Sequence, residues 1–300
     1  MRIHVIDLDF LQLQEAIGVF VVETRVGLAL VETGPHATFP HLMTALEKSG
    51  FSIEDFRHVF LTHIHFDHAG AAWAFARAGA TVYVHPVGLP HLAAPEKLYN
   101  SARMIYGDAM DRLWGAMEPI PEQQLYAPRH GESIQVGDLT LTAWYTPGHA
   151  THHIAWQAEA PGAESVVFTG DVAGVKPVRT GIVAPPCPPP DIHIEDWQES
   201  IRLLRDLPAD TLYLTHFGAV TDKKAHLAEL EQNLLEWSAW MEPHFRQQTP
   251  VEIITPLFQN FVREKLELAG IHEADQARYE AANPAFMSVA GLLRYWKKRQ

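Results

Sequence analysis

Apolar and polar positions divide the chain into two regimes. Up to about residue 216, short apolar runs of strand length alternate with helical stretches; beyond Thr221, apolar residues recur at helical spacing. Segments 2–9 and 17–31 predict three strands, the second segment being a hairpin that turns near Thr24 to Gly27. A helix over 37–49 follows, then a strand over 57–62. An Ala-rich helix, Ala69 to Ala80, leads to a short strand over Thr81 to His85. Residues 88–125 carry no strand pattern. Leu98, Ala102, Ile105 and Tyr106 stand there at helical spacing and predict one or two inserted helices. Strands resume at 132–136 and 139–145 with a turn at Gly137-Asp138, and again at 153–158 and 165–169. Residues 177–191 are too rich in proline for regular structure, since proline fixes φ and removes a donor. A helix over Trp197 to Leu207 and a strand over Leu212 to Leu214 complete this part. Leu227, Leu230, Leu234, Trp237 and Met241 then form the apolar stripe of an amphipathic helix capped by Thr221, and 250–299 stay helical.

Strands alternating with helices indicate an α/β protein. The formal charge of −13 opposes binding to a phosphate backbone, so no nucleic-acid partner is expected. The one cysteine, Cys187, permits no intramolecular disulfide. With no signal-peptide core in MRIHVIDLDF and no stretch apolar enough to span a bilayer, the expectation is a cytoplasmic protein without a membrane partner.

The chemistry concentrates in Thr62-His63-Ile64-His65-Phe66-Asp67-His68-Ala69-Gly70, on the loop between a strand and a helix. His63 and His65 are two apart and point the same way from extended backbone. Asp67 and His68 lie at the turn into the helix and aim elsewhere. One loop can thus serve two neighbouring ions, with imidazole suiting zinc, iron, nickel or copper and carboxylate suiting harder ions.

This motif resembles the HxHxDH signature of the metallo-β-lactamase-fold superfamily. Further residues follow in that family's order: His149 in Thr146-Pro147-Gly148-His149, Asp171 in Thr169-Gly170-Asp171 and His216 in Tyr213-Leu214-Thr215-His216. The resemblance spans residues 3 to 220. It implies a four-layer αββα sandwich, with 1–220 as the catalytic domain, helices inserted over about 88–125, and 221–300 as a helical C-terminal extension packed on it. It also implies that His63, His65 and His149 hold one ion, that Asp67, His68 and His216 hold a second, and that Asp171 bridges them. Two divalent ions per chain are expected, zinc foremost, with iron or manganese accepted by the same ligands. His153, four residues after His149, is expected to orient the loop by hydrogen bonding. The family's Asp-x-Gly is replaced here by Glu32-Thr33-Gly34, and Glu32 is not counted among the site residues. His85, His91 and His152 are read as bystanders.

The implied chemistry is hydrolysis of a thioester, ester or lactone carbonyl by a hydroxide bridging the two ions. Asp67 and Asp171 are the catalytic carboxylates, Asp67 shuttling a proton. Asp171 argues against a zinc β-lactamase, which lacks an Asp there, and His65 against flavodiiron proteins, which carry Glu. Hydroxyacylglutathione hydrolases and acyl-homoserine lactonases match all seven ligands. The alternative is a mononuclear iron persulfide dioxygenase using the positions of His63, His149 and Asp171. A small-molecule substrate is expected, with Arg103, Tyr106 and Trp114 as candidate contacts and the Pro-rich loop as candidate wall. A homodimer is left open.

Overall fold

The computed structural model describes all 300 residues. One sheet runs β1 (Arg2–Asp7), β2 (Gly18–Glu23), β3 (Leu28–Val31), β4 (His58–Phe60), β5 (Thr81–Tyr83) and β6 (Leu125–Tyr126) in spatial order. Its first three strands pair antiparallel and the rest parallel. The second sheet contains β7 (Ser133–Val136), β8 (Leu139–Tyr145), β9 (Ile154–Glu159), β10 (Val166–Phe168), β11 (Thr211–Leu214) and β12 (Gly218–Val220), again side by side in sequence order. Only β10 and β11 pair parallel.

The strand period of two separates the layers. On β2, Val19 and Val21 face the helices, whereas Phe20 and Val22 face the other sheet. Between the sheets Phe60 stacks on Tyr83 at 4.3 Å, and Trp156 meets the Phe60 ring edge-on at 4.9 Å. The Trp156 indole also donates to the Leu61 carbonyl at 2.9 Å, fixing β9 against the chain that leads into the histidine motif. Truncating this fully buried ring would cost about 3–5 kcal/mol.

Helices cover both outer faces, giving the αββα sandwich. Outside the first sheet lie α1 (Phe39–Lys48), α2 (Phe66–Ala69), α3 (Ala72–Arg77), α4 (Leu89–Ala93), α5 (Glu96–Tyr106) and α6 (Met110–Leu113), the last three forming the inserted stretch. Outside the second lie α7 (Ile194–Asp206), α8 (Lys223–Arg246), α9 (Val251–Leu268), α10 (Glu273–Ala282) and α11 (Ala285–Lys298). The stripe Leu227–Met241 packs with Trp197, Ile201 and Leu204 of α7 and with Val167, Leu212 and Leu214 of the sheet in one core. The cap of α8 is Asp222, one residue later than expected. Its carboxylate accepts from the Ala225 amide at 3.1 Å, a bond Asp makes as readily as Thr. The short strands β6 and β12 carry too few residues to show a period.

Proline carbonyls in the loop after β10 still need donors, and the tail supplies them. Asn283 Nδ2 donates to Pro185 O at 3.2 Å, and Arg294 Nε and Lys298 Nζ donate to Pro190 O at 3.2 and 2.8 Å. The loop is thereby held between the sheets' end and α10–α11.

Candidate metal centre and its cavity

The chemistry-bearing residues gather at one end of the sandwich, after the C-terminal ends of β4, β10 and β11 and in the β8–β9 connection. Two glycines let the backbone pass. Gly148 has φ +130°, and a Cβ there would lie 2.3 Å from Cα of Trp197. Gly170 has φ +48°, and a Cβ would strike Thr62 Oγ and His153 Nε2. They precede His149 and Asp171 directly, so close backbone packing sets both side chains.

Three nitrogens converge first. His65 Nδ1 lies 2.9 Å from His63 Nε2 and 3.1 Å from His149 Nε2. A second group joins them through Asp171. Its Oδ2 lies 3.3 Å from His149 Nε2, while its Oδ1 lies 3.3 Å from His68 Nε2 and 3.4 Å from His216 Nε2. Asp67 Oδ2 closes this side at 3.5 Å from His216 Nε2 and 3.8 Å from His68 Nε2. In the sets His63–His65–His149, His63–His68–Asp171 and Asp67–His68–His216, one ligand atom per residue falls within 4.8 Å of the others.

The outer hydrogen bonds decide which ring nitrogen is bare. His149 Nδ1 donates to Pro186 O at 2.8 Å and His216 Nδ1 to Ala16 O at 2.7 Å, because a carbonyl can only accept. His68 Nδ1 donates to the Glu32 carboxylate at 3.0 Å. Thr62 Oγ donates to that same carboxylate, which leaves its oxygen to accept from His63 Nδ1 at 3.0 Å. The Nε2 lone pairs of all four rings therefore face inward. His153 Nδ1 meets Thr146 Oγ at 2.8 Å, and its Nε2 accepts from the Asp171 amide at 3.3 Å, so it braces the loop that carries Asp171.

Buried imidazole lone pairs aimed at one another, with carboxylates between them, call for cations. His68 Nε2, His216 Nε2 and Asp171 Oδ1 are buried with no hydrogen-bond partner, an expensive condition unless metal ions take up those lone pairs. The donor set of imidazole and carboxylate suits divalent zinc, iron or manganese. Electrostatics divides the centre. Burial, then the neighbouring imidazoles, holds His63 far below the usual histidine range; burial and His149 bring His65 down to about 4. Against burial, His68 and His149 hold Asp171 well below the carboxylate range, and His68 and His216 bring Asp67 down to about 2. Against burial, Asp171 and Asp67 raise His68 far above the usual histidine range and raise His216 as well, so these two rings favour a proton in the place a cation would take. Neutral nitrogens and ionised carboxylates are the forms that bind metal.

Glu32 is the residue sequence reasoning set aside. It is wholly buried, and its carboxylate gathers His68, Thr62 and, at 3.4 Å, Thr215 Oγ. It thus joins the ends of both sheets beneath the centre. Its φ of +66° is rare for a side chain of this size. The signal was present: Glu32 stands where the family has Asp.

A cavity of about 460 Å³ opens onto the centre. His65, Asp67, His149 and Asp171 form its floor, and its walls come from α5, the prolines 186–190 and the α10–α11 junction. Tyr106 and Trp114 line it, as does His152. Arg103 does not; it faces solvent beside Lys97 and Met104. His91 also reaches the wall. His85 is buried 4.2 Å from the Tyr145 ring and stays out of it. No helix is long and apolar enough to cross a membrane.

An αββα sandwich with histidines and aspartates of this order at one end defines a metal-binding hydrolase fold. The family model described as "Metallo-beta-lactamase superfamily" matches residues 17–216, and the chain belongs to that superfamily. A metallo-beta-lactamase fold-containing protein of Sulfurisphaera tokodaii is 27% identical over 228 residues, 68% of this chain and 84% of that protein. A hydroxyacylglutathione hydrolase of a Methylobacterium species is 29% identical over 163 residues, 54% of this chain but 49% of its own length. The structure of a metallo-beta-lactamase family protein from Thermus thermophilus superposes with a TM-score of 0.62 at 22% identity, covering 99% of this chain and 93% of that one. The superfamily and the relatives' names make this a metal-dependent hydrolase at the coarse level.

Proposed function

We propose that the protein is a binuclear metallohydrolase that cleaves a thioester, ester or lactone carbonyl. The observation that carries this reading is the split of Asp171, one carboxylate oxygen toward His149 and the other toward His68 and His216. His63, His65 and His149 would hold one ion; Asp67, His68 and His216 would hold the other. Bound there, divalent ions supply Lewis acidity to the carbonyl and acidify water near neutral pH.

The rest falls to the chain. The cavity walls seat the acyl group over the floor. Asp67, one-fifth exposed at the cavity floor, is placed to take a proton and pass it to the leaving group. His153, Glu32 and the Pro186 carbonyl hold the ligands in place. Cys187 is buried and lies outside the cavity wall, so no covalent step runs through it. In this division residues 1–220 carry the chemistry and 221–300 complete the pocket. The relative named hydroxyacylglutathione hydrolase supports the thioester reading.

The test is a screen of purified, metal-analysed protein against thioesters, lactones and phosphoesters. Two divalent ions per chain with acyl hydrolysis, both lost in Asp171→Ala, are expected. One iron per chain with oxygen uptake on a persulfide, or full activity in Asp171→Ala, would overturn the proposal.

A further inference from the structure

The geometry points to an uncharged, medium-chain acyl group as the part of the substrate this cavity selects, with Ala102 and Met287 setting its length. The inference rests on the acyl-hydrolase reading above and concerns the walls rather than the floor. On α5, Leu98, Ala102 and Ile105 present an apolar stripe at spacings of four and three, and each lines the cavity. Met287 of α11 and the run of prolines 188–190 add further apolar surface. Lys97 is the one lysine or arginine in the wall, and Asp191 stands there as well. An anionic tail, such as a peptide thiol with two carboxylates, finds one fixed positive charge there, Lys97, with the Asp191 carboxylate in the same wall. An alkyl chain finds walls that lose water on its arrival.

The rim gives an independent sign. Ile105 is 46% exposed and Val87 49%, and both belong to the wall. Single exposed hydrophobics are ordinary, but two on the lip of one apolar cavity are covered by whatever fills it. Size sets the length. At about 460 Å³ the cavity falls in the lower half of the roughly 300–1,000 Å³ range of pockets that enclose a small-molecule ligand. That suits an acyl chain of medium length together with its scissile linkage. Ala102, small and 8% exposed on the buried side of α5, leaves the room that a larger side chain would take.

The test uses N-acetylcysteamine thioesters from acetyl to decanoyl on the metal-loaded protein. Octanamide, neutral and not hydrolysed, is titrated calorimetrically into the metal-free full-length chain. Each buried methylene is worth up to about fourfold in affinity. The ratio of kcat/KM for octanoyl over acetyl should therefore exceed tenfold. In Ala102→Phe that ratio should fall at least fivefold and octanamide binding should weaken by a similar factor. Met287→Ala, which removes volume rather than adding it, should shift the optimum to a longer chain, and it serves where Ala102→Phe does not fold. Octanamide binding should show a negative heat-capacity change. Hydrolysis with a flat or falling chain-length profile would overturn the inference and leave the hydrolase reading intact. With no hydrolysis of any thioester in this series, nor of any ester or lactone in the screen above, the hydrolase reading falls instead. The octanamide titration then decides the apolar cavity by itself: weakening in Ala102→Phe upholds it, and equal binding or none overturns it.

Discussion

Glu32 and His68 share a fully buried hydrogen bond, Oε1 to Nδ1, of 3.0 Å. The bond fixes the ring so that Nε2 points into the centre, and the carboxylate raises the basicity of that nitrogen. Replacing Glu32 by Gln keeps the size and weakens both effects. The affinity of the His68 side for metal should fall about 10- to 100-fold, the usual cost of losing such a supporting partner. Competition with a chelating dye measures it, and wild-type affinity in Glu32→Gln would remove Glu32 from the site.

Gly148 predicts a structural failure with a catalytic readout. A methyl group there would meet backbone atoms of Trp197, which cannot turn aside. Gly148→Ala should lower stability by roughly 1–3 kcal/mol through backbone strain, and more if α7 must move. His149 would be displaced with its loop. Urea unfolding and metal content should therefore both change, and a variant with normal values for each would show that the loop has slack.

His226, on α8, yields a pH dependence apart from the metal centre. Burial brings its pKa from 6.5 down to about 4, against the opposing hydrogen bond from Nε2 to Ala173 O. In the unfolded chain the ring takes a proton as pH falls through its ordinary value, while the folded chain resists until about pH 4. Its share of stability, on the order of 3 kcal/mol at full extent, is thus present above pH 6.5 and lost on acidification toward about 4. Between pH 7 and 5 the urea midpoint of wild type should drop further than that of His226→Gln. Equal drops would mean that His226 does not contribute.

Cys187 is fully buried, and burial pushes its thiol far up. The thiolate is the reactive form. The native protein should therefore be silent to a disulfide reagent, and urea should release one thiol per chain. Rapid labelling of the native state would show that the Pro-rich loop opens.

Local features were legible in the sequence, and long-range ones were not. His63 to His68 sit within one loop, and His149, Asp171 and His216 each follow a strand-like run. A strand's end is where such a fold places chemistry, and the resemblance to the family's ligand order, not spacing by itself, picked out the set. Glu32 departs from the family's Asp, and nothing in its spacing ties it to His68, 36 residues away. His152 was read as a bystander, yet it lies in the cavity wall with its ring 5.5 Å from that of His65. Its neighbours are His63 and His65 of the metal loop and Asp191 of the Pro-rich loop, which no spacing in the sequence ties to it. The same holds for the pocket. Tyr106, Pro190 and Met287 meet only because the tail folds back over the second sheet.

The tail's side chains also satisfy the carbonyls of the proline segment that borders the floor. On the proposed reading, the wall that sets preference is shared between α5, the prolines and the tail, so its tail portion lies on a different length of polypeptide from the reacting groups. If the proposed function holds, exchanging residues 281–287 for another sequence would reshape the wall of the cavity while leaving every group of the metal centre in place.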